Sequence, residues 1–165
     1  MLIKKIVSVI LSLSLVFMVS GCQSDKDNPL HGKDTDERIV MCLENAYPEY
    51  NFKVVKSFDK QKNEGLFEDE NGISFKVRDL IYNNTYHFGC RDEYLSTILK
   101  NENFFEKAKK VVEEKYGQKL VYNENTMSID IIYDDNNQIT TDEISQLVQE
   151  VLNIVDTPKV KYPAE

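Results

Sequence analysis

The chain opens with an apolar run that stops at a cysteine, and that stop decides which residues are left to build a fold. In "LVFMVSGCQSDKDN", residues 15–28, everything up to Cys22 is apolar or small, and nearly everything in the stretch that follows is polar or charged. Lys4 and Lys5 form a positive flank, and Ile6 to Met18 is apolar apart from Ser8, Ser12 and Ser14. Ser20 and Gly21 then supply small residues just before the break, which completes the three parts of an export signal. The run falls short of the roughly 20 residues that an ordinary spanning helix needs. Residues 1–21 therefore read as a removable leader.

The quartet Val19-Ser20-Gly21-Cys22 resembles the lipobox of bacterial lipoproteins, an aliphatic residue and two small residues before a cysteine. The resemblance implies diacylation of the Cys22 thiol, cleavage before Cys22, and a mature chain anchored to the extracytoplasmic face of the cell membrane. Two acyl chains make a sufficient anchor, since each buried methylene contributes about 0.8 kcal/mol. Gln23 follows, so the Asp that retains lipoproteins in the inner membrane of double-membraned bacteria is absent.

Removing residues 1–21 takes two lysines and no acid, leaving 18 basic against 28 acidic side chains, a formal charge of −10. An acidic surface disfavours nucleic acid and anionic headgroups as partners. It leaves a cationic peptide, a metal ion or a basic protein surface open. Residues 22–35 are polar, carry Pro29 and Gly32, and show no apolar periodicity, so they read as a lipidated, disordered tether. His31 lies there and is assigned no role. Residues 36–165 remain as one domain, large enough to bury a core without disulfides.

Within that domain, Ile39, Cys42, Leu43, Ala46 and Tyr47 fall on one helical face, which Pro48 ends. "YNFKVVKSF" has strand character. Asn71-Gly72 separates two further strands, in the second of which Ile73, Phe75 and Val77 alternate with polar residues. From Asp92 the period becomes helical through Tyr94, Leu95, Ile98 and Leu99, and again through Phe104, Phe105, Ala108, Val111, Val112 and Tyr116. Asn101 to Asn103 mark a break between these helices, and Gly117 a stop. "KLVY" and "TMSIDIIYDD" read as strands, with Met127, Ile129 and Ile131 alternating. Thr140 with Glu143 fits a capping box for a last helix bearing Ile144, Leu147, Val148, Val151, Leu152 and Val155, closed by Pro158. "KVKY" adds a short edge strand. Strands in a run, not in strict alternation with helices, imply an α+β single domain with a mainly antiparallel sheet and helices on one face.

Signals of chemistry are sparse. "NTYHFGCRDEY", residues 84–94, sets His87 and Cys90 beside an expected helix start at Asp92, where a helix dipole would favour a thiolate. The alternative is a loop whose Tyr86 and Phe88 pack under the second helix. Cys42 and Cys90 remain after lipidation of Cys22, and three states stay open for them: a disulfide, buried free thiols, or a redox or catalytic pair. Asp59, Gln61, Asn63 and Glu70 approach a calcium-loop spacing, but Glu64 stands where glycine is required, so no metal site is expected. No cofactor motif is present. The reading is a tethered, non-enzymatic module that binds a protein or envelope component. The alternatives are an immunity-type lipoprotein against a secreted toxin, a small-ligand carrier, and a thiol enzyme using Cys90.

Overall fold

The computed structural model describes residues 4–10, 16–20, 28–84, 87–123, 128–134 and 140–159. Cys22, Tyr86, Met127 and residues 160–162 of the expected edge strand lie outside them. The chain is α+β, as its sequence pattern implies, and its strands form two antiparallel sheets. Its contacts group it into two compact units that divide between Thr97 and Ile98.

The unit built on residues 14–97 holds a five-stranded sheet. Its elements are β2 (Val16–Ser20), α1 (Thr35–Ala46), β3 (Phe52–Asp59), β4 (Glu64–Asp69), β5 (Ser74–Asn83) and β6 (His87–Asp92). The strand order is β2-β6-β5-β4-β3. Pairing puts Phe52 opposite Asp69, Phe67 opposite Phe75, and Val77 opposite Asp92. Directly paired residues share a face, so Phe52, Phe67, Asp69, Phe75, Val77, Cys90 and Asp92 all look the same way, and all are buried. α1 packs on this sheet, against β3 and β6 among others, and buries Ile39, Cys42, Leu43, Ala46 and the following Tyr47.

The opposite face is wet. Lys53 pairs with Glu68 at 2.7 Å, Lys76 with Glu64 at 3.1 Å, and Arg91 with Asp79 at 3.1 Å. Exposed pairs of this kind contribute little to stability, but they make a face that water tolerates.

Local chemistry explains the boundaries. Asp34 caps α1: its side chain accepts from the Glu37 N–H while the Glu37 carboxylate accepts from the Asp34 N–H. At the β4–β5 turn the Gly72 N–H donates to the Asp69 carbonyl at 3.1 Å and Gly72 takes φ +82°. Only Gly72 of the Asn-Gly pair enters the left-handed region, the pattern of a turn closed by a left-handed glycine. Gly65 sits where a Cβ would come within 2.9 Å of the Phe67 ring and 3.2 Å of the Phe58 backbone. The irregular register of β3 against β4 around Lys56 needs that close approach.

The second unit, residues 1–13 with 98–157, contains β1 (Lys4–Ile10), β7 (Lys119–Asn123) and β8 (Ser128–Asp134) in the order β1-β8-β7. α2 (Tyr94–Asn101) precedes α3 (Phe104–Lys109), and Asn103 between them takes φ +51°. α3 continues as a π-helical turn, Lys110–Lys115, that ends at left-handed Gly117. There the Gln118 N–H reaches back to the Val112 carbonyl at 3.0 Å. α4 (Thr141–Leu152) starts at the expected Thr140–Glu143 capping box but ends at Asn153, ahead of Pro158.

Two expectations need correction. Residues 87–92, expected as a loop or a helix approach, form β6 inside the sheet. The expected tether 22–35 is folded from Asn28 onward: Leu30 is fully buried, and the nearly buried Asn28 accepts the Leu30 N–H at 2.9 Å, closing a turn that leads into Asp34. One apolar residue among polar ones has no period to reveal it. Leu30→Ala is expected to lower the unfolding free energy by about 3 kcal/mol, read by denaturant titration. A change within about 0.5 kcal/mol, as for an unconstrained surface residue, would return these residues to the tether.

Candidate functional site

The densest chemistry among the described residues lies under α1, where β4, β6 and the start of α2 converge. Tyr47 follows the apolar face of α1, and Tyr94 opens α2. Their rings pack edge to face at 5.0 Å between centroids, and Phe52, Phe75 and Tyr50 close around Tyr94 at 5.2, 4.8 and 5.8 Å. Into this aromatic cluster the sheet sends two carboxylates, Asp69 from β4 and Asp92 from β6, both nearly inaccessible.

The two acids are treated differently. Asp69 Oδ1 accepts the Asn71 and Ile73 N–H groups at 3.0 and 2.7 Å, and Oδ2 accepts the Tyr94 hydroxyl at 2.7 Å. Asp92 Oδ1 accepts the Tyr47 hydroxyl at 3.0 Å and the Tyr94 N–H at 2.9 Å, while Oδ2 is buried with no hydrogen-bond donor. Burial therefore dominates at Asp92 and pushes its carboxyl up to about 6, against the lowering effect of the Tyr94 N–H and the Tyr47 hydroxyl. Burial, followed by the Asp92 charge, drives the Tyr47 phenol far above its ordinary range, and burial with Asp69 does the same to Tyr94. Both phenols are donors held neutral, which suits positioning and not proton transfer near neutral pH.

The sequence singled out His87 and Cys90 as a possible base and nucleophile. The structure separates them. Three positions apart on one strand, they point to opposite faces. His87 is exposed, with its ring 6.3 Å from that of Tyr82. Cys90 is fully buried on the α1 side, as is Phe88. The hydrogen bond with Cys42, then burial, raises the Cys90 thiol well above its ordinary value, and the Asp92 charge adds to this. A reactive cysteine needs the reverse, a stabilised thiolate within reach of solvent. The structure instead sets Cys90 beside Cys42, both as fully buried thiols with no disulfide between them, which no spacing argument could do.

The calcium-like spacing does not converge. Asp59 accepts the Gln61 and Lys62 N–H groups within the β3–β4 turn, whereas Glu70 sits at the other end of β4 and accepts the Asn51 N–H. Beside the β3–β4 turn, Lys56, Asp59, Lys62, Glu64, Gly65, Leu66 and Lys76 line a shallow depression of about 150 Å³. That is well below the several hundred Å³ of a typical small-molecule site (roughly 300 or more). No helix among the described residues is long and apolar enough to cross a membrane.

No protein-family model, no curated protein and no solved structure matches the chain.

Asp92 makes a pH-dependent liability. Its carboxyl holds a proton more tightly folded than unfolded, so its contribution is complete below about pH 4 and is lost as pH rises through about 6. Across that window a shift of about two units weakens the fold by about 3 kcal/mol. Asp92→Asn keeps an acceptor for Tyr47 and Tyr94 and has no charge to bury. The stability difference between variant and parent should therefore grow from pH 4 to pH 6 and level off above pH 7. Denaturant titrations at several pH values measure it, and a pH-independent difference would refute the assignment.

Proposed function

We propose that this protein is a lipid-anchored module on the extracytoplasmic face of a bacterial membrane that binds a protein or envelope component without catalysing a reaction. The observation that carries the reading is the Val19-Ser20-Gly21-Cys22 motif directly after a short apolar run with a basic flank. The placement of Cys90 supports the non-catalytic part, because the one thiol that the sequence offered as a nucleophile lies on the α1 side of β6, on the face opposite His87.

Lipidation at Cys22 leaves only residues 22–27 between the acyl chains and the folded turn at Asn28. Six residues span no more than about 20 Å fully extended, so the partner must be met close to the membrane surface. The segment from Asp34 to Asn51 carries Asp34, Asp36, Glu37, Glu44 and Glu49 against Arg38 alone, which favours a partner with a basic surface. The edge strand β3 adds exposed Val54 and Val55, and β5 adds exposed Ile81 and Tyr82. Cleavage before Cys22 also removes β1 and β2, which line the edges of β8 and β6.

Two measurements test the reading on protein from intact cells. The mass of the N-terminal peptide should show Cys22 as the first residue carrying a diacylglyceryl thioether, and Cys22→Ala should release the chain from the membrane. Cross-linking of the tagged parent should capture one abundant, saturable partner that is lost in Cys22→Ala. A chain that retains Met1 without acylation would overturn the anchor, and failure to enrich any partner would overturn the binding role. A captured secreted toxin, with loss of protection in the variant, would identify the immunity form.

A further inference from the structure

We infer that Cys42 and Cys90 become joined by a disulfide when the domain folds in an oxidising medium, pinning the middle of α1 to β6. The compartment rests on the export reading above, but the pairing rests on how α1 packs on β6.

α1 and β6 pack against each other, and two side-chain pairs from α1 and its C-cap mark the contact. At one, the Tyr47 hydroxyl donates to Asp92 Oδ1 at 3.0 Å. At the other, five residues before Tyr47 and two before Asp92, Cys42 and Cys90 are both fully buried, near enough for each thiol to act on the other. The two contacts are in register. Cys42 to Tyr47 is five helical residues, a rise of about 7.5 Å; Cys90 to Asp92 is two strand residues, about 6.7 Å. Helix and strand thus advance together, and each contact holds the other in place. Both thiols are fully buried, and the third cysteine of the chain, Cys22, is not available in a lipidated product. All four residues of this double contact lie beyond Cys22, so all four are retained when the leader is cleaved.

In the finished fold the thiols are shielded and protonated, so the bond forms while the chain is still folding. The oxidant is a disulfide, of a low-molecular-weight thiol or of an oxidoreductase. One cysteine, as its thiolate, attacks an oxidant sulfur and expels one oxidant thiolate, giving a mixed disulfide. The second cysteine thiolate attacks the protein sulfur of that mixed disulfide and expels the other. The cysteines lose two electrons to the oxidant's sulfur–sulfur bond, and their two protons end on the two oxidant thiols. Closure of the helix onto the strand brings the second thiol to the first, so the native packing selects this pairing.

The test uses the full lipidated protein in detergent. Unfolded and reduced, then refolded with oxidised and reduced glutathione, it should return lighter by two hydrogen atoms. Its peptide map should show Cys42 linked to Cys90. The bridge closes a loop of about 49 residues, so reduction should lower the melting temperature by about 10 °C. Cys42→Ala and Cys90→Ala should each abolish this sensitivity to reductant; should either fail to fold, the shift in the parent decides. Recovery of native protein with both thiols free would overturn the inference. Protein from cells quenched with N-ethylmaleimide tests the compartment separately. A bridge that forms on refolding but is absent from cells would uphold the pairing and count against the export reading.

Discussion

The contact on which the larger unit depends is the one between α1 and the inner face of the sheet, fixed by polar groups in an otherwise apolar layer. Ile39, Leu43 and Ala46 would drive α1 onto almost any apolar surface, because hydrophobic burial is not directional. What sets its position along the sheet is the Tyr47 hydroxyl on Asp92 and the Cys42 thiol on Cys90. A shift of α1 by one turn would leave the Asp92 carboxylate with one donor fewer, in a place where it already lacks one at Oδ2. The cost of burying an unmatched acid thus becomes a penalty on the wrong register.

Asp69 and Asp92 show how one residue type serves two ends in a single aromatic cluster. Asp69 collects donors on both oxygens and organises the turn that joins β4 to β5, with Tyr94 laid over it. Asp92 collects donors on one oxygen and joins β6 to α1 and to the first residue of α2. Through Tyr94, whose amide answers Asp92 and whose hydroxyl answers Asp69, the two carboxylates share a partner. The local turn, the helix start and the long-range helix packing are therefore coupled through three side chains.

The legible parts of the fold were those written in one local code. The face of α1, the Asn71-Gly72 turn, the break at Asn103, the stop at Gly117 and the Thr140 cap each depend on a few neighbouring residues, and each occurs where its pattern places it. β6 was illegible because its inward residues are Phe88, Cys90 and Asp92. Alternation is visible there only if an aspartate counts as buried, and what permits its burial is a tyrosine 45 residues away. Leu30 was missed for a similar reason, one apolar residue held by a single side-chain turn. The capping box at Asp34 and Glu37 was a readable signal that would have placed the start of α1. The site fared worse than the fold, since the meeting of Cys42 with Cys90 and the burial of Cys90 are tertiary facts.

The distribution of charge bears on the proposed binding role. The outer surface of the larger unit is not uniform in charge. On the outer face of the sheet, Lys53, Lys76, Arg78 and Arg91 are each matched to a carboxylate within 3.1 Å. Between Asp34 and Asn51 the acids outnumber the single arginine, so within this unit the negative surplus lies with the α1 segment and not with the charged face of the sheet. α1 begins soon after the folded turn at Asn28, and therefore stands close in sequence to Cys22, the proposed anchor. On that proposal the acidic segment and the membrane attachment would be neighbours along the chain. A basic partner drawn to that segment would meet it within a few nanometres of the lipid, where short tethers confine the search for a binding partner to the surface.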